Sequence, residues 1–430
     1  MRFDLQASRE EIKSHYKPCP TCSEEIKALL ITNASNPFDT LVEKVWNGDI
    51  KPEDIDADML DFTASRLTGA INKGYGATTL SSEAFFYNDI VMKRNAYEFA
   101  AAKTYQQLKE IRNLKNTGVY KTFEEFSKAA KDSGLDNLYN NLWMDVESST
   151  ALAGSQMSTK WLEMEENLDV TPNLRYDTAG DERVRGEHAA MDGIIKAYDD
   201  SFWNTYYPPN GYGCRCDATP TDAKPNKKTI NKKTTSVDEK FKNNVGKTGK
   251  VFSKKSSYFK HIQDDKVSYH SAVQNALKEN KSKLMYKKGK GELSIHPLQM
   301  EHELKANIKT GKFLADNNIK VELLEYLEEE GVTNVDAKLN GDLAEFKNPD
   351  NPTKGAIQRS IKEASRQGAE KAVIYLENFD YNEVKRGLQA CFGPDGEWNK
   401  EIKDVWMIYD NKLVTLSREE IIGREFYEKL

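Results

Sequence analysis

The stretch from Leu174 to Asp217, LRYDTAGDERVRGEHAAMDGIIKAYDDSFWNTYYPPNGYGCRCD, constrains this chain more than any other. Neither helix nor strand periodicity runs through it, and Gly, Pro and Asn interrupt it repeatedly. It carries a Gly-Asp-Glu-Arg turn, a single His188, the aromatics Phe202, Trp203, Tyr206 and Tyr207, and a closing Cys214-Arg215-Cys216. Such a segment reads as an ordered loop held by specific contacts. A loop this long inside a folded domain is usually functional or pinned by something.

Tyr176, the run Ala179-Gly180-Asp181-Glu182-Arg183-Val184-Arg185, His188, Asp192-Gly193, Phe202-Trp203 and the ending Pro208 to Cys216 follow one another in fixed order. In that order they resemble the phage Mu F-like minor head proteins, also called head morphogenesis proteins. The resemblance implies a structural component near the portal of a tailed-phage or prophage capsid. Portal and capsid proteins are then the expected partners and the virion the expected location. It does not by itself imply catalysis.

At 430 residues the chain exceeds what one hydrophobic core usually serves, so two or three domains are expected. A net charge of -6 with 30% charged residues excludes neither nucleic acid nor protein partners. No apolar run approaches the roughly 18–20 residues of a membrane span. No signal-peptide core follows Met1-Arg2-Phe3-Asp4, so synthesis in the host cytoplasm is expected.

Residues 24–170 read mainly as helices. Phe38 to Trp46 has apolar residues at helical spacing, and Asn47-Gly48 ends the run. Asp54, Asp56, Asp58 and Ser81-Ser82-Glu83 stand where helices would start. Tyr97 to Leu114 is amphipathic, and a further helical segment, about Leu135 to Leu168, carries Trp143, Met157 and Trp161 as core residues. Asp39–Gly76 and Leu138–Trp161 also resemble the helical part of the same head proteins.

Four of the five cysteines form two close pairs, Cys19/Cys22 and Cys214/Cys216. Two thiolates from each would complete a tetrahedral zinc site tying the N-terminal segment to the loop, and uncoordinated thiols are the alternative. His188 could replace one ligand, although a single histidine is more often a hydrogen-bonded structural residue.

From Lys224 to Lys260, twelve lysines stand against two acids, which reads as a solvated tether or as a basic arm touching packaged DNA. Gly246-Lys247-Thr248 lacks the earlier glycine and preceding strand of a phosphate-binding loop. The expected organisation is a head domain over 1–222, a Lys-rich linker over 223–290 and a small α/β domain over 291–430. The fold class is thus α+β and multidomain, with a mainly helical N-terminal part.

In the last part, Asn340-Gly341 between alternating residues is a strong hairpin signal. A two-residue turn sets Leu339 against Asp342 and, counting back, Asp336 against Glu345. Val335, Ala337, Leu339, Ala344 and Phe346 then share an apolar face, while Asp336, Lys338, Glu345 and Lys347 share the wet one. Opposed carboxylates repel across a ladder, and a divalent cation or a bound substrate's cationic partner would reverse the sign; the plain alternative is a charged solvent face. Helix is expected over Thr353–Arg366, closed by Gln367, with strands at Ala372–Leu376, Val405–Tyr409 and Lys412–Leu416.

The Asp…Glu-x-Lys arrangement resembles the PD-(D/E)xK nuclease core, and Asn334 to Leu376 resembles the C-terminal RNase domains of contact-dependent growth-inhibition toxins. Val335 stands where the nuclease pattern has proline. The resemblance implies phosphodiester cleavage, of RNA and in particular tRNA rather than DNA, by Asp336, Glu345 and Lys347 with Gln367 in support. Magnesium at Asp336 and Glu345 and a separate immunity protein would be expected with it. The rival expectation is a purely structural virion component whose C-terminal domain binds a partner without catalysis.

Overall fold

The computed structural model describes residues 36–430 apart from 52–53, 77–81, 231–236, 261–281, 297, 300, 327–332 and 394–395. Cys19, Cys22 and Ser81 therefore lie outside the described residues. The chain is mixed α+β and forms two units, Met1–Ala276 and Leu277–Leu430, the first mainly helical and the second rich in strands.

The first unit opens with α1 (Phe38–Asn47), which buries Phe38, Leu41, Val42 and Val45 and stops at Gly48, whose φ of 80° an L side chain would resist. Helix α2 (Ala57–Tyr75) starts where Asp56 accepts from the Met59 amide, and α3 (Glu83–Thr117) starts on Ser82 in the same way. After α4 (Phe123–Asp132), a π turn leads into α5 (Trp143–Glu165), which buries Trp143, Met157 and Trp161. Helices α2 and α5 meet closely at Gly74, where a Cβ would stand 2.4 Å from the Leu152 carbonyl oxygen. A fully buried ion pair, Lys103 with Glu147 at 2.5 Å, ties α3 to α5. A small sheet follows, with β1 (Asn173–Asp177) between β2 (Ile195–Ala197) and β3 (Asp217–Thr221).

Much of the stretch expected to be a tether is folded. Asn95 accepts from the Phe252 amide at 2.7 Å and donates to its carbonyl at 2.9 Å, and Phe252 stacks on Phe99 with centroids 4.0 Å apart. Tyr258 donates to Glu147 at 2.9 Å, and Gly246 lies so close to Trp161 that no side chain would fit there. The lysines of this stretch had masked a set of aromatic anchors spaced along it.

The second unit is an eight-stranded mixed sheet in the order β11-β10-β9-β8-β7-β6-β5-β4. Its strands are β4 (Lys283–Lys288), β5 (Gly291–Ile295), β6 (Lys320–Leu323), β7 (Ala337–Leu339), β8 (Asp342–Lys347), β9 (Lys371–Tyr375), β10 (Asp404–Tyr409) and β11 (Lys412–Ser417). Strand β4 precedes Gly291, so the expected linker overlaps this sheet too. Helix α6 (Glu301–Asp316) lies on the face of Leu293 and Val321, which crowd its Gly311. On the opposite face α7 (Lys354–Arg366) and α8 (Tyr381–Cys391) bury Ile357, Ile361, Val384, Leu388 and Cys391 against Ala372, Ile374, Val405 and Met407. Cys391 is thus a packing residue. No helix among the described residues is long and apolar enough to cross a membrane.

Candidate functional site

In the first unit, the aperiodic loop is built outward from buried aromatics. Tyr176, Trp203 and Tyr207 are fully buried. Each satisfies its polar tip, with Tyr176 donating to Asn210 Oδ1 at 2.9 Å, Trp203 to the Ala197 carbonyl at 3.0 Å and Tyr207 to the Met157 carbonyl at 2.9 Å. Asp192 accepts from both the amide and the hydroxyl of Thr178 at 2.8 Å, closing the loop's neck.

On this frame the one-turn helix Gly186–Ala189 carries the buried His188 to the cysteine pair. Its Nδ1 lies 3.4 Å from Cys216 Sγ and 3.7 Å from Cys214 Sγ, and the three donor atoms all fall within 4.8 Å of one another. The hydrogen bond from Cys216 holds the Cys214 thiol well below its usual range, and donating that bond pushes Cys216 up. A cavity of about 370 Å³ opens beside them, with Arg183, Arg185, Arg215, Glu182 and Glu187 in its walls. His188, read from the sequence mainly as a structural histidine, is therefore the residue that meets the thiols. The expected completion by Cys19 and Cys22 falls outside the described residues.

In the second unit, the hairpin register is the expected one, with Leu339 paired to Asp342 and Ala337 to Ala344. Asn340 and Gly341 take the positive φ values, 52° and 104°, that a tight primed turn requires. The ladder stops at Ala337. Beyond it Asp336 turns its carboxylate onto the Phe346 amide at 2.8 Å, while its own amide donates to Glu345 Oε2 at 3.2 Å. Lys347 donates to Glu345 Oε1 at 2.6 Å. The side-chain amide of Gln367 faces both Glu345 oxygens, and pairing donor with acceptor sets its nitrogen against them. All four sequence-chosen residues converge.

Two expectations fail here. The face is not wet, because Asp336 and Glu345 are only 7% and 2% exposed. Strand pairing sets Glu345 beside Ala372 on the side that α7 covers. Val335 leaves the apolar face assigned to it and packs on the cluster beneath α7 and α8, since the chain is no longer a strand there. Burial, reinforced by Asp336, lifts the Glu345 carboxyl to about 8, and burial likewise raises Asp336. For Lys347 burial acts downward, but Glu345 and Asp336 outweigh it and leave the ammonium raised.

Sequence reading missed Asn307. Buried on α6, it donates to Asp336 Oδ1 at 2.8 Å and to Gln299 Oε1 at 3.3 Å. The available signal was an asparagine set beside the apolar Leu304 and Ile308 within the amphipathic pattern of residues 302–317. Glu303, on the same helix, is close enough to raise Asp336 further.

Residues 92–219 match a family model described as "Phage Mu protein F like protein", spanning α3, α4, α5, the loop and most of β3. The first unit therefore contains a Phage Mu F-like domain. The chain is 42% identical over 57 residues to the "Putative capsid assembly protein F" of Escherichia phage Mu, a span of 13% of each protein. It is 42% identical over 59 residues to the "Mu-like prophage FluMu F protein" of Haemophilus influenzae, 14% of each. The chain thus matches about one seventh of the length of these curated relatives. No solved structure matches it.

Proposed function

We propose that this chain is a phage or prophage head morphogenesis protein whose C-terminal unit is a phosphodiesterase, most simply an endoribonuclease acting on tRNA. The head role is supported by the Mu F-like domain and by the name of the phage Mu relative. It carries with it portal and capsid partners and residence in the virion. Mass spectrometry of purified heads tests it, and a chain recovered only from the host lysate contradicts it. A zinc tie between the Cys19/Cys22 and Cys214/Cys216 pairs belongs to the same reading.

The nuclease role is carried by one observation, the meeting of Asp336, Glu345, Lys347 and Gln367 at the end of the hairpin. Phosphodiester cleavage needs a group to take a proton from the attacking oxygen and a cation for the charge that builds on phosphorus oxygens. Glu345, lifted to about 8, exchanges a proton near neutral pH, and Lys347 stays cationic beside it. Asp336 orients Glu345 through its amide, and Gln367 orients it from the side. Magnesium, if bound between Asp336 and Glu345, would add a Lewis acid at the same phosphate.

The test is incubation of the full chain with total tRNA and with plasmid, with and without magnesium. Cleavage should fall about 10²–10⁴-fold in Glu345→Ala and Lys347→Ala. An intact substrate throughout, with no difference in toxicity on expression, leaves a structural component whose C-terminal unit binds a partner. A toxin would also need an immunity protein, sought as the product of a neighbouring reading frame that abolishes cleavage.

A further inference from the structure

We infer that His188, Cys214 and Cys216 hold a zinc ion, with His188 bonding through Nδ1. This deepens the zinc reading above and changes its ligand set. Around tetrahedral zinc, bonds of about 2.3 Å to sulfur and 2.0–2.1 Å to nitrogen set S···N edges of about 3.6 Å. The two edges here are 3.4 and 3.7 Å. Both nitrogen-to-sulfur separations thus match edges of a zinc tetrahedron, and all three donor atoms fall within 4.8 Å of one another.

The chemistry of the donors selects the ion. Two sulfurs and an imidazole are soft ligands that suit zinc and reject magnesium or calcium. The two cysteines are unpaired as a disulfide, leaving both sulfurs available. Their surroundings are built as well. The Asn210 amide hydrogen-bonds Cys214, and the Tyr176 hydroxyl lies within hydrogen-bonding reach of Cys216. Both residues belong to the aromatic frame, so the positions of the sulfurs are fixed from behind. On the open side the arginine-lined cavity of about 370 Å³ leaves room for a water as the fourth donor.

The protein purified whole and without added metal should carry about one zinc per chain by plasma mass spectrometry. His188→Ala and Cys216→Ser should each lower occupancy about tenfold or more, while Cys391→Ser keeps it. Because either loop variant could misfold, wild-type protein loaded with cobalt supplies the second readout: a thiolate-to-cobalt charge-transfer band with tetrahedral ligand-field absorption. Zinc kept by His188→Ala, no uptake by the wild type, or a cobalt spectrum without the thiolate band overturns the assignment. Cys19→Ser with Cys22→Ser then locates the fourth donor. Full occupancy assigns it to water and an affinity drop of about tenfold to a thiolate, both consistent with the three-ligand core. Complete loss there, with His188→Ala still loaded, restores the four-cysteine site instead. Nuclease activity enters none of these measurements, so failure of the cleavage proposal leaves this one standing.

Discussion

The two polar clusters differ in the donors they bring together. At the hairpin every carboxylate oxygen already has a donor from the protein: Asn307 and the Phe346 amide for Asp336, Lys347 and the Asp336 amide for Glu345. In the loop the His188 imidazole nitrogen lies 3.4 and 3.7 Å from two sulfurs, a donor set of the kind zinc takes. One cluster is complete as a hydrogen-bonded unit, and an arriving cation or phosphate must displace donors to enter. The other brings together three donor atoms that the zinc proposed above would join. Buried polar groups at the hairpin therefore contribute stability as they stand, whereas under the zinc proposal the loop's stability is linked to metal binding.

The largest effect that would break this contrast comes from metal removal. A chelator strong enough to strip zinc should cost the first unit several kcal/mol and open the 178–216 loop to protease, while the second unit melts unchanged. Equal losses in both units would show that the hairpin cluster also depends on a metal.

Next in size is Lys347→Met, which leaves Glu345 buried without its counter-charge. Breaking such a pair costs about 3–5 kcal/mol, less here at low pH because Glu345 escapes by taking a proton. The loss should be smallest near pH 5 and grow toward pH 9, as followed by urea denaturation. Asn307→Ala should cost about 1–3 kcal/mol by leaving Asp336 Oδ1 unpaired, and it sharpens the claim that the cluster is complete only with α6. The pH slope tests the Glu345 carboxyl without a substitution. Glu345 has its folded value raised from 4.5 to about 8, so the folded state keeps a proton that the unfolded chain releases. Stability is then highest below about 4.5 and falls as pH rises toward 8, by at most about 1.4 kcal/mol per pH unit. Glu345→Gln should flatten that part of the curve; Asp336, raised by burial, keeps its own share.

What the sequence made legible follows the range of the interactions. Gly48 after Trp46-Asn47, Asp56 before α2 and Thr353 before α7 are local signals, and each ends or caps its helix as read. The Asn340-Gly341 turn carried the register far enough to bring Asp336 to Glu345. Burial of that face was not legible, because it depends on α7 and its terminal Gln367 crossing strands whose order no local pattern gives. Asn307 reaches Asp336 from 29 residues away, and His188 reaches Cys216 from 28. Asn307 was missed and His188 was weighed only as a replacement ligand, since a single Asn or His has no periodicity of its own. The lysines of 224–260 misled in the opposite direction, their charge hiding Phe252 and Tyr258, whose partners Phe99 and Glu147 lie on helices far upstream.

The smallest expected effect probes the loop's rim. Arg215 clasps Asp181 with two hydrogen bonds of 2.8 and 2.6 Å, and both side chains are partly exposed, 32% and 42%. Arg215 lies between the two cysteines, so this fork is a natural alternative to metal as the pin that holds them. Exposed pairs contribute about 0–1 kcal/mol even with good geometry, because water solvates both partners when they part. Asp181→Asn should therefore leave the denaturation midpoint and the zinc occupancy nearly unchanged, and high salt should mimic it. A large fall in the midpoint, or loss of the zinc, would move the pin from the buried side of the loop to its rim. The loop would then be complete without a metal, like the hairpin.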